Sequence, residues 1–103
     1  MMLVHTVYFY LRPDLSPDQR ALFQREVARL GEIPEVQAFY LGTPAAVPAR
    51  PVVDLSFSYS ITCVFTDVAQ HDAYQAHPVH LEFIARCKDL WARVQVYDAQ
   101  GQS

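Results

Sequence analysis

The chain predicts an α+β fold in the order βαββαβ, a four-stranded antiparallel sheet with helices on one face. Three observations lead there. Residues 3–11 and 57–65 alternate with the period of a strand, and two segments opening at Pro17 and Pro78 carry helix-start signals. The chain is also of single-domain size: its 103 residues are 51% apolar and only 18% charged, which reads as one folded domain over residues 1–103.

Leu3 to Leu11 places Leu3, His5, Val7 and Phe9 on one face and Val4, Thr6, Tyr8 and Tyr10 on the other. A strand apolar on both faces calls for cover on both. Ser16-Pro17-Asp18-Gln19 has the form of a capping box with proline at the first helical position. Phe23, Val27 and Leu30 follow at helical spacing, and Gly31 and Pro34 end that helix. Val36 to Leu41 reads as a second strand, and the segment from Thr43 to Asp54, with Pro44, Pro48 and Pro51, as an irregular loop. Phe57 to Phe65 is the clearest strand, with Phe57, Tyr59, Ile61, Cys63 and Phe65 on one face. Asp67-Val68-Ala69-Gln70 resembles another capping box and opens a short helix through Tyr74. The Pro78 helix is expected to reach Ala92, with Phe83 and Trp91 on its buried flank, and Val94 to Asp98 to form the last strand before a frayed tail.

That order makes a ferredoxin-like sandwich. If helices cover His5, Val7 and Phe9, the opposite face with Val4, Tyr8 and Tyr10 is left bare. An apolar patch of that kind marks an interface, and a homodimer packing two sheets face to face into a β-barrel would bury it.

Composition narrows function by exclusion. A formal charge of −3 with no basic cluster argues against nucleic acid as a partner. The apolar runs are too short to span a bilayer, and the N-terminus lacks a signal-peptide pattern, so no membrane association and a cytoplasmic location are expected. Cys63 and Cys87 have no metal-type spacing and read as buried thiols. Ser-His-Asp order, glycine-rich phosphate loops and paired carboxylates are missing, against hydrolase, nucleotide-binding and glycosidase readings.

Chemistry concentrates in Tyr74-Gln75-Ala76-His77-Pro78-Val79-His80, at the junction of two helices. Proline at the first helical position puts His77 at the cap and His80 in the first turn. The positive end of a helix disfavours imidazolium, which makes His80 a candidate neutral base. The bland alternative is that His80 merely caps its own turn and Tyr74 anchors to backbone. His77 reads as a structural cap at the pocket edge. His5, on an otherwise apolar strand face, needs a partner once buried. It either reaches the pocket and a ligand or His80, or pairs with Asp98 or a backbone carbonyl. His71 falls on the exposed side of its helix. His5, His77 and His80 have no carboxylate clearly placed with them and project differently, so no metal is expected. No cofactor is expected either, haem included, because the pocket is small. Val7, Phe9, Phe23, Val27, Ile61, Phe83 and Trp91 form the core and the pocket lining at once, which suits a small apolar or aromatic molecule oriented by a few polar groups.

Three features together resemble the stress-responsive A/B barrel domain (Dabb) family over nearly the whole chain. They are His5 in an apolar first strand, the segment Asp72-x-Tyr74-x-x-His77-Pro78-x-His80-x-x-Phe83, and the closing Val94-x-Val96-Tyr97-Asp98. The resemblance implies a ferredoxin-like protomer, a dimer whose sheets form a central β-barrel, and a pocket between sheet and helices in each protomer. A plant branch of the family comprises cofactor-free polyketide cyclases that close a poly-β-keto chain by an intramolecular aldol step. By that resemblance His80 is the general base and Tyr74 its partner near the reacting carbonyl; His5, able to reach the pocket from the first strand, is the third candidate catalytic residue on its position alone. Val27 departs from the branch, which carries a tyrosine there. Two functions follow: a cofactor-independent cyclase, lyase or isomerase acting on an enolisable carbonyl, or a non-catalytic, stress-associated dimer that binds a small molecule or serves structurally.

Overall fold

β1 (Leu3–Leu11) is the strand on which the rest is assembled. It pairs antiparallel with β3 (Tyr59–Phe65) on one side and β4 (Trp91–Gln100) on the other; β2 (Ala38–Gly42) adds to the far edge of β3. The order β2-β3-β1-β4 is the ferredoxin-like arrangement expected from the sequence. The structure, a computed structural model, describes residues 1–102. Among them no helix is long and apolar enough to cross a membrane.

Strand alternation separates the two faces of the sheet. Leu3, His5, Val7, Phe9 and Leu11 are buried, whereas Val4, Thr6, Tyr8 and Tyr10 are only partly covered. Three helices lie on the buried side: α1 (Pro17–Arg29), α2 (Val68–Ala76) and α3 (Pro78–Cys87). The predicted capping box closes reciprocally. Ser16 Oγ accepts from the Gln19 backbone N–H (3.1 Å), and Gln19 Oε1 accepts from the Ser16 N–H (2.8 Å). At α2 the Asp67 carboxylate accepts from the Gln70 N–H (2.9 Å). Phe23, Val27 and Leu30 are all buried, as their spacing predicts.

Helix α1 is also tied to α3 by charge. The Glu26 carboxylate is buried between two guanidiniums, accepting from Arg29 (2.9 Å) and from Arg86. Glu82 takes a second bond from Arg29 (3.3 Å). Burial alone would raise the Glu26 pKa; Arg86 and Arg29 more than reverse that and hold it below the ordinary range.

Four elements differ at their boundaries from the sequence expectation, β3 among them, which starts at Tyr59 and not at Phe57. The last helix stops at Cys87, and Lys88–Leu90 form a 3₁₀ turn rather than continuing to Ala92. Trp91 therefore belongs to β4, opposite Leu11, and β4 extends from there to Gln100. The reason is tertiary: the Leu90 carbonyl accepts from the Arg12 N–H (3.0 Å), and the β1 ladder captures Trp91 before another helical turn can form. The ladder likewise holds the tail predicted to fray, with the Gly101 N–H donating to the Met2 carbonyl (2.8 Å). The second strand starts two residues later than expected, because the Val36 N–H turns back to the Ile33 carbonyl (3.0 Å).

Gly31 is required where the α1 end meets β2. A Cβ at this position would lie 2.6 Å from Phe39 Cδ2 and 2.8 Å from Cγ, closer than packed atoms tolerate. Gly31→Ala is expected to destabilise the fold by ~1–3 kcal/mol through overpacking, read as a lowered urea midpoint at unchanged m-value.

Candidate functional site

The site is a cavity of about 160 Å³ between the buried sheet face and the helices. Its floor is His5, Val7 and Phe9 of β1 with Ile61 of β3; Tyr74, Gln75, His80, Phe83 and Ile84 form the helical wall. Trp91, Val94 and Val96 of β4 complete the edge. Val94 and Val96 are about 40% exposed although they lie on the helix-covered face, because β4 is an edge strand that the helices do not fully cover. The cavity opens there.

The His77–Pro78 junction sets the polar geometry. His77 Nδ1 accepts from the Val79 N–H (3.1 Å), capping α3, while its own N–H closes α2 onto the Tyr74 carbonyl (3.1 Å). His77 thus does the capping, and His80, one turn into α3, is released from it. The His80 ring meets the Tyr74 ring edge-on, 4.8 Å between centroids. Its Nδ1 is buried without a hydrogen-bond partner among the described residues. Its pKa is lowered, first by burial, then by the nearby His5, with the Gln75 backbone pulling the other way. The sequence argued for a neutral imidazole from the helix N-terminus; burial is the larger reason.

His5 resolves toward the partner named from the sequence: Nδ1 lies 2.5 Å from Asp98 Oδ1. The β1–β4 register sets His5 directly opposite Asp98. It also lines the cavity, so pairing with Asp98 does not take it out of the pocket wall. Burial lowers its pKa, with Asp98 opposing. The Tyr74 hydroxyl is turned into the core, receiving the Cys63 thiol at 4.0 Å, and burial drives its pKa far up, so the phenol stays protonated. Burial likewise pushes the Cys63 and Cys87 thiols to about 11, which keeps them inert.

Three residues expected at the pocket lie elsewhere. Phe23 and Val27 are fully buried beneath the cavity wall, and His77 is spent on the helix cap. His71, expected in solvent, is largely buried: its ring lies 5.1 Å from His5 and 5.5 Å from Phe65. It sits one helical turn before Tyr74, so docking Tyr74 on the sheet brings His71 with it. Leu30, Gln75, Ile84, Val94 and Val96 line the cavity although the sequence did not mark them as pocket residues. Strand alternation through Val94 and Val96 carried that signal for β4.

The family profile for the stress-responsive A/B barrel domain, Dabb, matches residues 3–100. The chain belongs to this family. Solved structures similar to this Dabb domain include a Dabb family protein with a ferredoxin-like fold from Mesorhizobium loti, 22% identical over 99% of this chain and 98% of that one, TM-score 0.78. A dimeric ferredoxin-like protein of unknown function from Thermobifida fusca is 20% identical over 96% and 90%, TM-score 0.77. The hydroxynitrile lyase of Passiflora edulis is 22% identical over 95% and 91%, TM-score 0.78. At these identities the likeness establishes the shared fold. No curated protein sequence matches the chain.

Core and lining separate on mutation. Phe23→Ala is expected to cost about 3–5 kcal/mol in chemical denaturation, as for a buried aromatic. Ile84→Ala, at the half-open wall, is expected to cost under about 1 kcal/mol.

Proposed function

We propose that this Dabb domain works as a homodimer, each protomer using its cavity to bind a small apolar or aromatic carbonyl compound from which His80 removes a proton. The observation that carries this reading is the half-buried His80 ring, whose Nδ1 is buried with no hydrogen-bond partner among the described residues. Buried polar atoms are ordinarily paired, and a purely structural histidine would be. An imidazole kept neutral by burial is a competent base for a carbon acid between two carbonyls. The proton moves from that carbon to an imidazole nitrogen, leaving an enolate, and can return from the imidazolium to the same carbon or to a rearranged product. Tyr74 acts in this scheme as a positioning residue, because its ring fixes His80 while its hydroxyl is turned toward Cys63. Apolar walls at Val7, Phe9, Phe83, Trp91 and Val96 favour a substrate with an aromatic or alkyl body. The hydroxynitrile lyase among the structural neighbours supports the view that this scaffold can house an enzyme.

The bare side of the sheet supports the dimer. Tyr8, Tyr10, Tyr40 and Tyr97 lie on it, Tyr40 and Tyr97 more than 60% exposed, with Arg93 stacked 4.7 Å over Tyr10. Aromatic and arginine side chains of this kind are typical interface anchors. Dimeric neighbours of the same fold favour the same assembly.

A non-catalytic, stress-associated ligand-binding dimer is the second reading. The Tyr74 hydroxyl favours it, because it is turned toward Cys63 and burial keeps its proton on.

The test is α-proton exchange. Wild-type protein in D₂O is expected to accelerate deuterium incorporation into an aryl β-keto ester, and His80→Ala to abolish that acceleration while the dimer persists by light scattering. The ascending limb of the rate against pH should lie below about 6.5, the ordinary histidine value, since the folded pKa is lowered. Exchange no faster than in buffer, or retained in His80→Ala, removes the catalytic reading; binding of the same ester without exchange leaves the second. Tyr8→Arg is expected to give monomer, and an unchanged dimer would move the interface elsewhere.

A further inference from the structure

We propose that His5, His71 and Asp98 form a binding site for a divalent transition-metal cation, at the end of the cavity where β1, α2 and β4 meet. One ligand atom from each of the three residues lies within 4.8 Å of the other two. Two imidazoles and one carboxylate are the donor set of the two-histidine, one-carboxylate metal sites, which leave further coordination positions to water or ligand.

The site is built from fixed elements. His5 projects from the middle of β1, the ladder register brings Asp98 opposite it, and His71 comes from α2, one turn before the buried Tyr74. A supporting shell is present as well. Asp72 Oδ1 lies 3.1 Å from His71 Nδ1, so the ring can donate there and keep a lone pair on Nε2. A carboxylate behind a ligating histidine is the usual means of fixing its tautomer and orientation. Gln75 Nε2 approaches His71 Nε2 at 3.4 Å, a long contact that a metal bond easily replaces.

The distances require little movement. Ligand atoms about 2.1 Å from a common cation stand roughly 3–4.2 Å apart, so a cluster already within 4.8 Å needs only small shifts, the His5–Asp98 pair opening from its 2.5 Å contact to admit the ion. Asp98 and His71 have room for that: the Asp98 side chain is 41% exposed and the His71 side chain 16%. On binding, the His5 N–H that faces Asp98 is exchanged through solvent to the other ring nitrogen, so the imidazole stays neutral and the freed lone pairs of Nδ1 and the carboxylate go to the metal. The expectation from His5, His77 and His80 lacked a carboxylate; the β4 register supplies one, and the helix supplies a different histidine.

The site can be tested with metal alone. Chelator-stripped wild-type protein is expected to bind one Co²⁺ per chain with the intense visible band of a low-coordinate nitrogen–oxygen site, and Zn²⁺ to displace it. His71→Ala and Asp98→Ala should abolish the band, Asp72→Asn should weaken binding about 10-fold or more, and His80→Ala should leave it intact. That last variant separates this site from the proposed base, because exchange activity and metal binding then fail in different proteins. His71 and Asp98 avoid the folding risk of replacing buried His5. A spectrum of hydrated Co²⁺ at excess metal, or equal affinity in wild type and His71→Ala, overturns the proposal.

Discussion

The two-sided demand of β1 governs this protein. It is one of the two central strands, and its alternation commits Leu3, His5, Val7, Phe9 and Leu11 to the helices. Burying five consecutive inward positions ties a polar imidazole to an apolar face, and that imidazole must then be satisfied. Asp98, delivered by the antiparallel register, satisfies it. The cavity, the helix docking and the bare opposite face all follow from how that strand is covered.

The break at His77–Pro78 divides labour between two histidines three residues apart. Proline ends α2 and starts α3, His77 fills the cap, and His80 is left with an unsatisfied nitrogen beside an apolar hollow. A single continuous helix would have no such pair, since its interior backbone N–H groups would already be bonded. The charged lattice of Glu26, Arg29, Glu82 and Arg86 fastens α3 to α1 from outside, so the wall carrying His80 and Phe83 is anchored on both flanks. Edge strand β4 leaves the hollow open, with Val94 and Val96 at its mouth. Three imidazoles and one carboxylate thus gather at one side of an otherwise apolar cavity. Burial keeps two of those imidazoles, His5 and His80, on the neutral side of their ordinary range.

The amino-acid sequence by itself determined the element order, the capping box at Ser16, the His77 cap and the inward face of β1, because each depends on local backbone chemistry or short-period alternation. It also carried the family signature. Only the tertiary structure decided where the last helix gives way to β4, since the β1 ladder captures Trp91 against local helical preference. It alone put Phe23 and Val27 behind the wall, turned the Tyr74 hydroxyl toward Cys63, and folded His71 inward beside His5. Those outcomes depend on the angle and register at which elements far apart in the chain meet, and no periodicity within one segment encodes them.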